Sequence, residues 1–278
     1  MKKKLLIFLS LLGLPFLIAG SLSSVMAQQV PEPVRNEEVV ARERLEGEIE
    51  ELQTTYRGQL TEYRDADKEF GIAKDQYHKL QTLASINKVS EAARKVFALR
   101  DQVLITYLEL QRSRIIASEG IELSLKELVV KRIEVEGRWL VDHKQRVEKM
   151  QDRSQFNSLA DEFTEKSDDF EEASDQAAMI LSLGDLQDVY DRLVLVRKDI
   201  FDIEAQSSSS DRTRSSKETD RMITEVQAVL EKTWIDLGNN IKKDKASSFS
   251  SNKVKNLDPI YSGLNKTTSF LRELLREL

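Results

Sequence analysis

The sequence predicts an all-α protein, an elongated bundle of about six helices paired as hairpins with coiled-coil-like packing. Three observations predict it. No proline occurs in the 225 residues from Val34 to Asp258, and proline is the residue that most often breaks a helix. Apolar residues within that stretch recur at alternating three- and four-residue steps, the spacing of one helix face. Charged residues make up 32% and aromatic residues 6%, with 40% apolar. With regular periodicity, that balance suits a solvated bundle and argues against disorder.

The chain opens with what reads as a secretory signal peptide over residues 1–27. Lys2, Lys3 and Lys4 form the basic start, Leu5 to Gly20 the apolar run, and Val25-Met26-Ala27 a cleavage site with the cut after Ala27. The run is 16 residues, short of the roughly 20 that span a bilayer. An uncleaved N-terminal anchor is the alternative. Localisation is therefore expected to be extracytoplasmic: secreted, periplasmic or at the cell surface. There is no cysteine, so neither a disulfide framework nor a lipidated cysteine is available. Stability has to come from packing.

Residues 28–36 contain Pro31 and Pro33 and are expected to be an extended tether. The first helix is expected from Glu37 to Ala84, on the track Leu45, Ile49, Leu52, Tyr56, Leu60, Tyr63, Ala66, Phe70, Ala73, Tyr77, Leu80, Ala84. An extra four-residue step beside Gly58 reads as a stutter in that seam. A turn at Ser85–Lys88, with Asn87 as cap, precedes a second helix carrying Val89, Ala92, Val96, Leu99, Val103, Thr106 and Leu110. Phe97, Leu104, Ile105 and Leu108 widen its stripe. The chain breaks or bends at Ser118-Glu119-Gly120, closing a first hairpin over 37–118.

A third helix is expected from Ile121 to Leu181. Val129, Ile133, Leu140, Val147 and Met150 mark its first half, and Phe156, Leu159, Phe163, Phe170, Ala177 and Ile180 its second. The halves do not share a heptad phase, so a kink is expected near Asp152–Gln155. A turn at Ser182–Asp185, capped by Asp185, leads to a fourth helix on Leu186, Val189, Leu193, Val196, Ile200 and Ile203, completing a second hairpin over 119–209. A serine-rich loop at Gln206–Ser216 follows. A capping box at Ser215 and Glu218 opens a fifth helix on Ile223, Val226, Leu230, Trp234, Leu237 and Ile241. Ser247–Asn252 is a turn, and Asp258-Pro259 caps the last helix, which ends in Leu264, Leu271, Leu274, Leu275 and Leu278. These form a third hairpin over 210–278.

A weak internal repeat runs through this pattern. Val89, Val96, Leu99, Arg100 and Val103 match Leu186, Leu193, Val196, Arg197 and Ile200 at an offset of 97, and Glu69-Phe70 matches Asp169-Phe170 at 100. Duplication of a helical unit, two or three times over, would produce this, with units side by side or sharing a helix between bundles. Chance agreement between amphipathic helices would produce it too.

No residue cluster reaches the level of an active site, so the protein is expected not to be an enzyme and to use no cofactor. The two histidines, His78 and His143, lie 65 residues apart, and no serine sits in a nucleophile turn. Asp75-x-x-His78 resembles half of a bundle di-iron site, but Leu140 stands where His143 would need its glutamate. His143 falls in the seam between Leu140 and Val147 and is read as an amphipathic seam residue with its polar tip at the surface. Asp168-Asp169 with Glu171-Glu172, and Glu46, Glu48, Glu50 and Glu51, spread around their helices as solvated faces. Gly47, Gly58, Gly71 and Gly137 fall within helices and mark close packing or local softness.

Net charge is −6, and −9 once Lys2–Lys4 are removed. That balance disfavours nucleic-acid binding and attraction to an anionic membrane. The basic run Lys242-Lys243-x-Lys245 sits at a helix C-terminal end, where it is stabilising in any case. The expected function is that of an exported scaffold or binding protein of the envelope or surface, recognising a protein partner, or itself, along helix faces. Candidate contact residues are Phe97, Leu104, Ile105 and Leu108, if they are not buried internally, with Trp139 and Trp234. The alternatives are an extracytoplasmic holdase-type chaperone and an enzyme built inside a helical bundle.

Overall fold

The structure, a computed structural model, describes residues 37–151, 153–206, 214–243 and 253–277. The signal peptide over 1–27, the tether over 28–36 and the turn at Ser247–Asn252 lie outside the described residues. Among the described residues there are six helices and no strand: α1 Glu37–Leu80, α2 Leu83–Ala117, α3 Leu123–Lys149, α4 Arg153–Gln206, α5 Arg214–Ile241 and α6 Lys253–Glu277. The fold is an all-α bundle packed in helix pairs. By internal contacts the chain divides into two units, Met1–Arg44 and Leu45–Leu278. The described part of the first is the opening of α1, where Val39 and Val40 are exposed. The second holds the rest of α1 and the other five helices.

Within this second unit α1 runs antiparallel to α2. Glu48 accepts from Ser113 at 3.3 Å, Tyr56 meets Tyr107 ring to ring at 5.7 Å, Glu69 pairs with Lys95 at 2.9 Å, and Gln76 accepts from Lys88 at 3.1 Å. The most extensive pairings are α2 with α3 and α5 with α6. The helix α4 belongs to two groups. Its first half packs on α2 and α3 through Phe156, Leu159, Phe163 and Phe170. Its second half packs on α5 through Tyr190 and Arg197, and on α6 through Ile200, which meets Leu271 and Leu274. Each group is a helical bundle, the first also taking in α1 through Tyr56 on Tyr107 and Phe70 on Phe156, and α4 is common to both.

The seams follow the expected residues. Val129, Ile133, Leu140, Val147 and Met150 are all buried, as are Val226, Leu230, Leu237 and Ile241; at α5 the buried residue is Met222, with the expected Ile223 and Trp234 half-buried. The expected kink near Asp152–Gln155 is a break at Met150–Gln151. Here Met150 turns to extended backbone and Gln155 Oε1 caps the Gln151 N–H at 2.9 Å.

Four boundaries differ from expectation. The first turn is not at Ser85–Lys88 but at Gln81–Thr82. Gln81 takes a left-handed φ of 49°, and Thr82 caps α2 in a reciprocal box with Ser85, so Asn87 lies inside the helix. The turn at Ser182–Asp185 does not exist, because α4 runs through Gly184 unbroken. Glycine costs a helix about 1 kcal/mol against alanine. Here it admits the α2–α3 connection. A Cβ at Gly184 would lie 2.6 Å from Ile121 Cγ1, and one at Gly120 would lie 2.4 Å from the Gly184 carbonyl. Finally, α6 starts at Lys253, so Pro259 is within the helix and not in its first turn. Similarly, α5 is already helical at Arg214, ahead of the expected cap Ser215.

Candidate functional site

Three features of the second unit bear on function: a buried polar centre, an exposed apolar stripe and a cavity. The polar centre comes first because it contains His143. Asp101 lies on α2 among Phe97, Leu104, Ile105 and Leu108, at steps of four and three that put all five on one broad face. That face packs against α3 and α4, so a carboxylate there needs internal partners. It has them. His143 Nδ1 is 2.6 Å from Asp101 Oδ2, and Arg100 donates to Asp101 Oδ1 from Nε at 3.1 Å and from a terminal nitrogen at 2.9 Å.

The other ring nitrogen of His143, Nε2, donates to the Leu159 carbonyl at 3.0 Å, across the α3–α4 contact. The side chains of His143 and Asp101 are both fully buried. Aromatic rings close the site. Trp139 stacks on His143 at 4.7 Å and 13°, and Phe97 and Phe163 flank the Arg100 guanidinium at 4.6 and 3.2 Å. Burial pushes the Arg100 guanidinium down, and the charge and hydrogen bonds of Asp101 oppose that. The reading of His143 as a seam residue with a surface tip is therefore corrected: it is in the seam, but both polar atoms are satisfied inside. With every polar contact taken up by protein groups and no opening, this is a structural cross-link of α2, α3 and α4.

A second buried arginine, Arg197, matches Arg100 at the repeat offset. It also sits beside a ring, Phe201 at 5.8 Å, but its partners lie elsewhere: Asp220 and Ser216 on α5, and Glu204. Arg197 ties α4 to α5 through Asp220 and Ser216, whereas Arg100 pairs with Asp101 on its own helix and reaches α4 through the Phe163 ring.

The expected contact residues fall mostly inside. Leu104, Ile105 and Leu108 are buried in the α2 core. Phe97 is partly buried and stacks on Phe156 at 4.6 Å. Trp139 is half-buried against His143, Phe163 and Phe170. Trp234 is half-buried and donates to Gln187 Oε1 at 3.2 Å. The condition that the α2 residues be free of internal packing is not met. The apolar surface is instead on the second half of α4. There Val189, Val196 and Ile203 follow one another at seven-residue steps and are 43, 39 and 51% exposed. Exposed Asp185, Asp199 and Asp202 and one exposed arginine, Arg192, lie alongside. The sequence showed this track as half of a complete seam. Its other half, Leu193 and Ile200, faces α6.

The third feature is a cavity of about 280 Å³ where the end of α1, the start of α2 and the α3–α4 junction meet. Its wall is apolar, with Phe70, Ile86, Val89, Ala93, Met150 and Phe156, and its charged or ionisable side chains are Lys74, Tyr77, His78 and Arg94. Among the described residues no carboxylate lines it. Thus His78, read in sequence only as half of a di-iron-like pattern, stands at a cavity. The four helical glycines Gly47, Gly58, Gly71 and Gly137 mark no close packing, since a Cβ on any of them would meet nothing within 4 Å.

Among the described residues no group of histidine and carboxylate side chains is placed to hold a metal ion, and no helix is long and apolar enough to cross a membrane. Comparison of the chain with protein-family models, with curated proteins and with solved structures finds no match in any of the three.

Proposed function

We propose that the protein is an exported, non-enzymatic helical binding protein of the cell envelope or surface, which recognises a protein partner along a helix face. The observation that carries this reading is the α4 stripe of Val189, Val196 and Ile203, a coiled-coil position left open to solvent. Because Asp185, Asp199 and Asp202 outnumber Arg192 beside it, the occupant is an amphipathic helix with basic flanking positions. Export rests on the signal-like residues 1–27.

The absence of native cysteine makes the test clean. Single cysteines at Val196 and Ile203 carry a photo-crosslinker in intact cells, with Val141, an exposed valine on α3, as the control position. Both α4 positions should capture the same partner, and the adduct peptides should map to one basic amphipathic helix. Equal labelling from Val141, or adducts scattered over unrelated proteins, refutes the proposal. Protein found only in the cytoplasmic fraction refutes the export it assumes.

A further inference from the structure

We propose that the cavity between α1, α2 and the α3–α4 junction binds a small anionic amphiphile, an acid whose single charged head meets Arg94 and whose short alkyl or aryl body fills the apolar wall. The site is separate from the α4 stripe and does not depend on it.

The argument starts from how this chain treats its other enclosed arginines. Arg100 faces Asp101, and Arg197 faces Asp220 and Glu204. Arg94 breaks the pattern. It lines the cavity, its Nε is buried with no hydrogen-bond partner, and it forms no ion pair among the described residues. Lys74 stands across the same cavity, on α1. Two cations and His78 thus share a space that no carboxylate of the described residues lines. A buried donor without an acceptor is costly, and a bound anion would remove that cost through charge-assisted bonds.

The apolar wall sets the rest of the ligand. Phe70, Phe156 and Met150 offer aromatic and polarizable surface, which suits an alkyl chain or a ring. The volume of about 280 Å³ is just below the usual range for small-molecule sites. It accommodates a short-chain or aryl acid and excludes a two-chain lipid. Elements far apart in sequence build the site, so it exists only in the folded chain.

The test is calorimetric titration of the purified protein with octanoate and with octanamide, which share a body and differ in head charge. Octanoate should bind with one-to-one stoichiometry and octanamide about tenfold more weakly or worse, the size of one charge-assisted bond. Arg94→Gln should weaken octanoate by the same factor and leave octanamide unchanged. Equal affinity of the wild-type protein for the two probes, no binding of octanoate at millimolar concentration, or unchanged octanoate affinity in Arg94→Gln overturns the proposal. Should Arg94→Gln fail to fold, Lys74→Gln on the exposed face of α1 takes its place and is expected to weaken octanoate several-fold. The wild-type comparison of the two heads decides without any variant.

Discussion

Replacing Asp101 by alanine removes the hub of the buried polar centre while leaving both of its partners enclosed. Arg100 loses two bonds, at 3.1 and 2.9 Å, and His143 loses its 2.6 Å contact. Neither side chain can turn to solvent, because rings from Phe97, Phe163 and Trp139 close the site. Removing one partner of a buried ionic set costs about 3–5 kcal/mol, because the remaining charge stays desolvated. A domain of this size loses about 2–4 °C of melting temperature per kcal/mol, so the midpoint should fall by roughly 6–20 °C. Asp101→Asn, which keeps one acceptor for Arg100, should cost less, about 1–3 kcal/mol. The assay is thermal and urea unfolding followed by far-ultraviolet circular dichroism, extended to the double variant Asp101→Ala/His143→Ala. Contacting residues should couple by about 0.5–3 kcal/mol. A single-variant loss under about 1 kcal/mol, or strict additivity in the cycle, would refute the claim that this centre ties α2 to α3.

Glycine substitutions separate close packing from mere softness. Gly184→Ala, whose Cβ would press on Ile121 and Ser118, should lower stability by about 1–2 kcal/mol despite the better helix former. Gly58→Ala, with nothing within 4 Å of its Cβ, should raise it by about 0.5–1 kcal/mol; denaturant midpoints check both. The Tyr56 hydroxyl is buried and has no hydrogen-bond partner, so Tyr56→Phe should be neutral or stabilising by about 1 kcal/mol in the same assay. Burial pushes the phenols of Tyr56 and Tyr63 up to about 12. An unfolded tyrosine ionises near 10, so both phenols favour the folded state fully below that value. That contribution is lost as pH rises from about 10 towards 12. Burial also pushes the phenols of Tyr107 and Tyr190 up, so phenolate absorbance during an alkaline titration should show four late-titrating tyrosines, and their ionisation together with the others would contradict the burial.

Periodicity made much of this architecture legible before any coordinates. The α3 seam and most of the α5 seam are the predicted residues, with Met222 buried where Ile223 was expected, and the phase mismatch between Met150 and Phe156 foretold the break between α3 and α4. Those signals are local, since each depends on neighbours a turn or two away. What escaped depends on contacts between segments. Gly184 resembles a turn residue in isolation, and only the approach of Gly120 and Ile121 explains a glycine inside a continuous helix. The break at Gln81 rests on one left-handed non-glycine residue, which leaves little trace in residue type.

The buried His143–Asp101 contact had one readable sign. A lone aspartate amid Phe97, Leu104, Ile105 and Leu108 needs a partner, and the seam of another helix offered a histidine. The candidate surfaces escaped for the same physical reason. An apolar stripe on α2 and one on α4 look alike in sequence, and which of them is covered depends on how many helices surround each. The cavity requires three separate segments to meet before Arg94 is seen to lack a carboxylate.

The uninterrupted passage of α4 through both helix groups has a mechanical corollary. No hinge separates the groups at Gly184, so melting one end strips the other of a wall, and chemical denaturation should proceed in a single step where two tethered modules would give two. Tension applied along α4 would be shared by both cores before either yields.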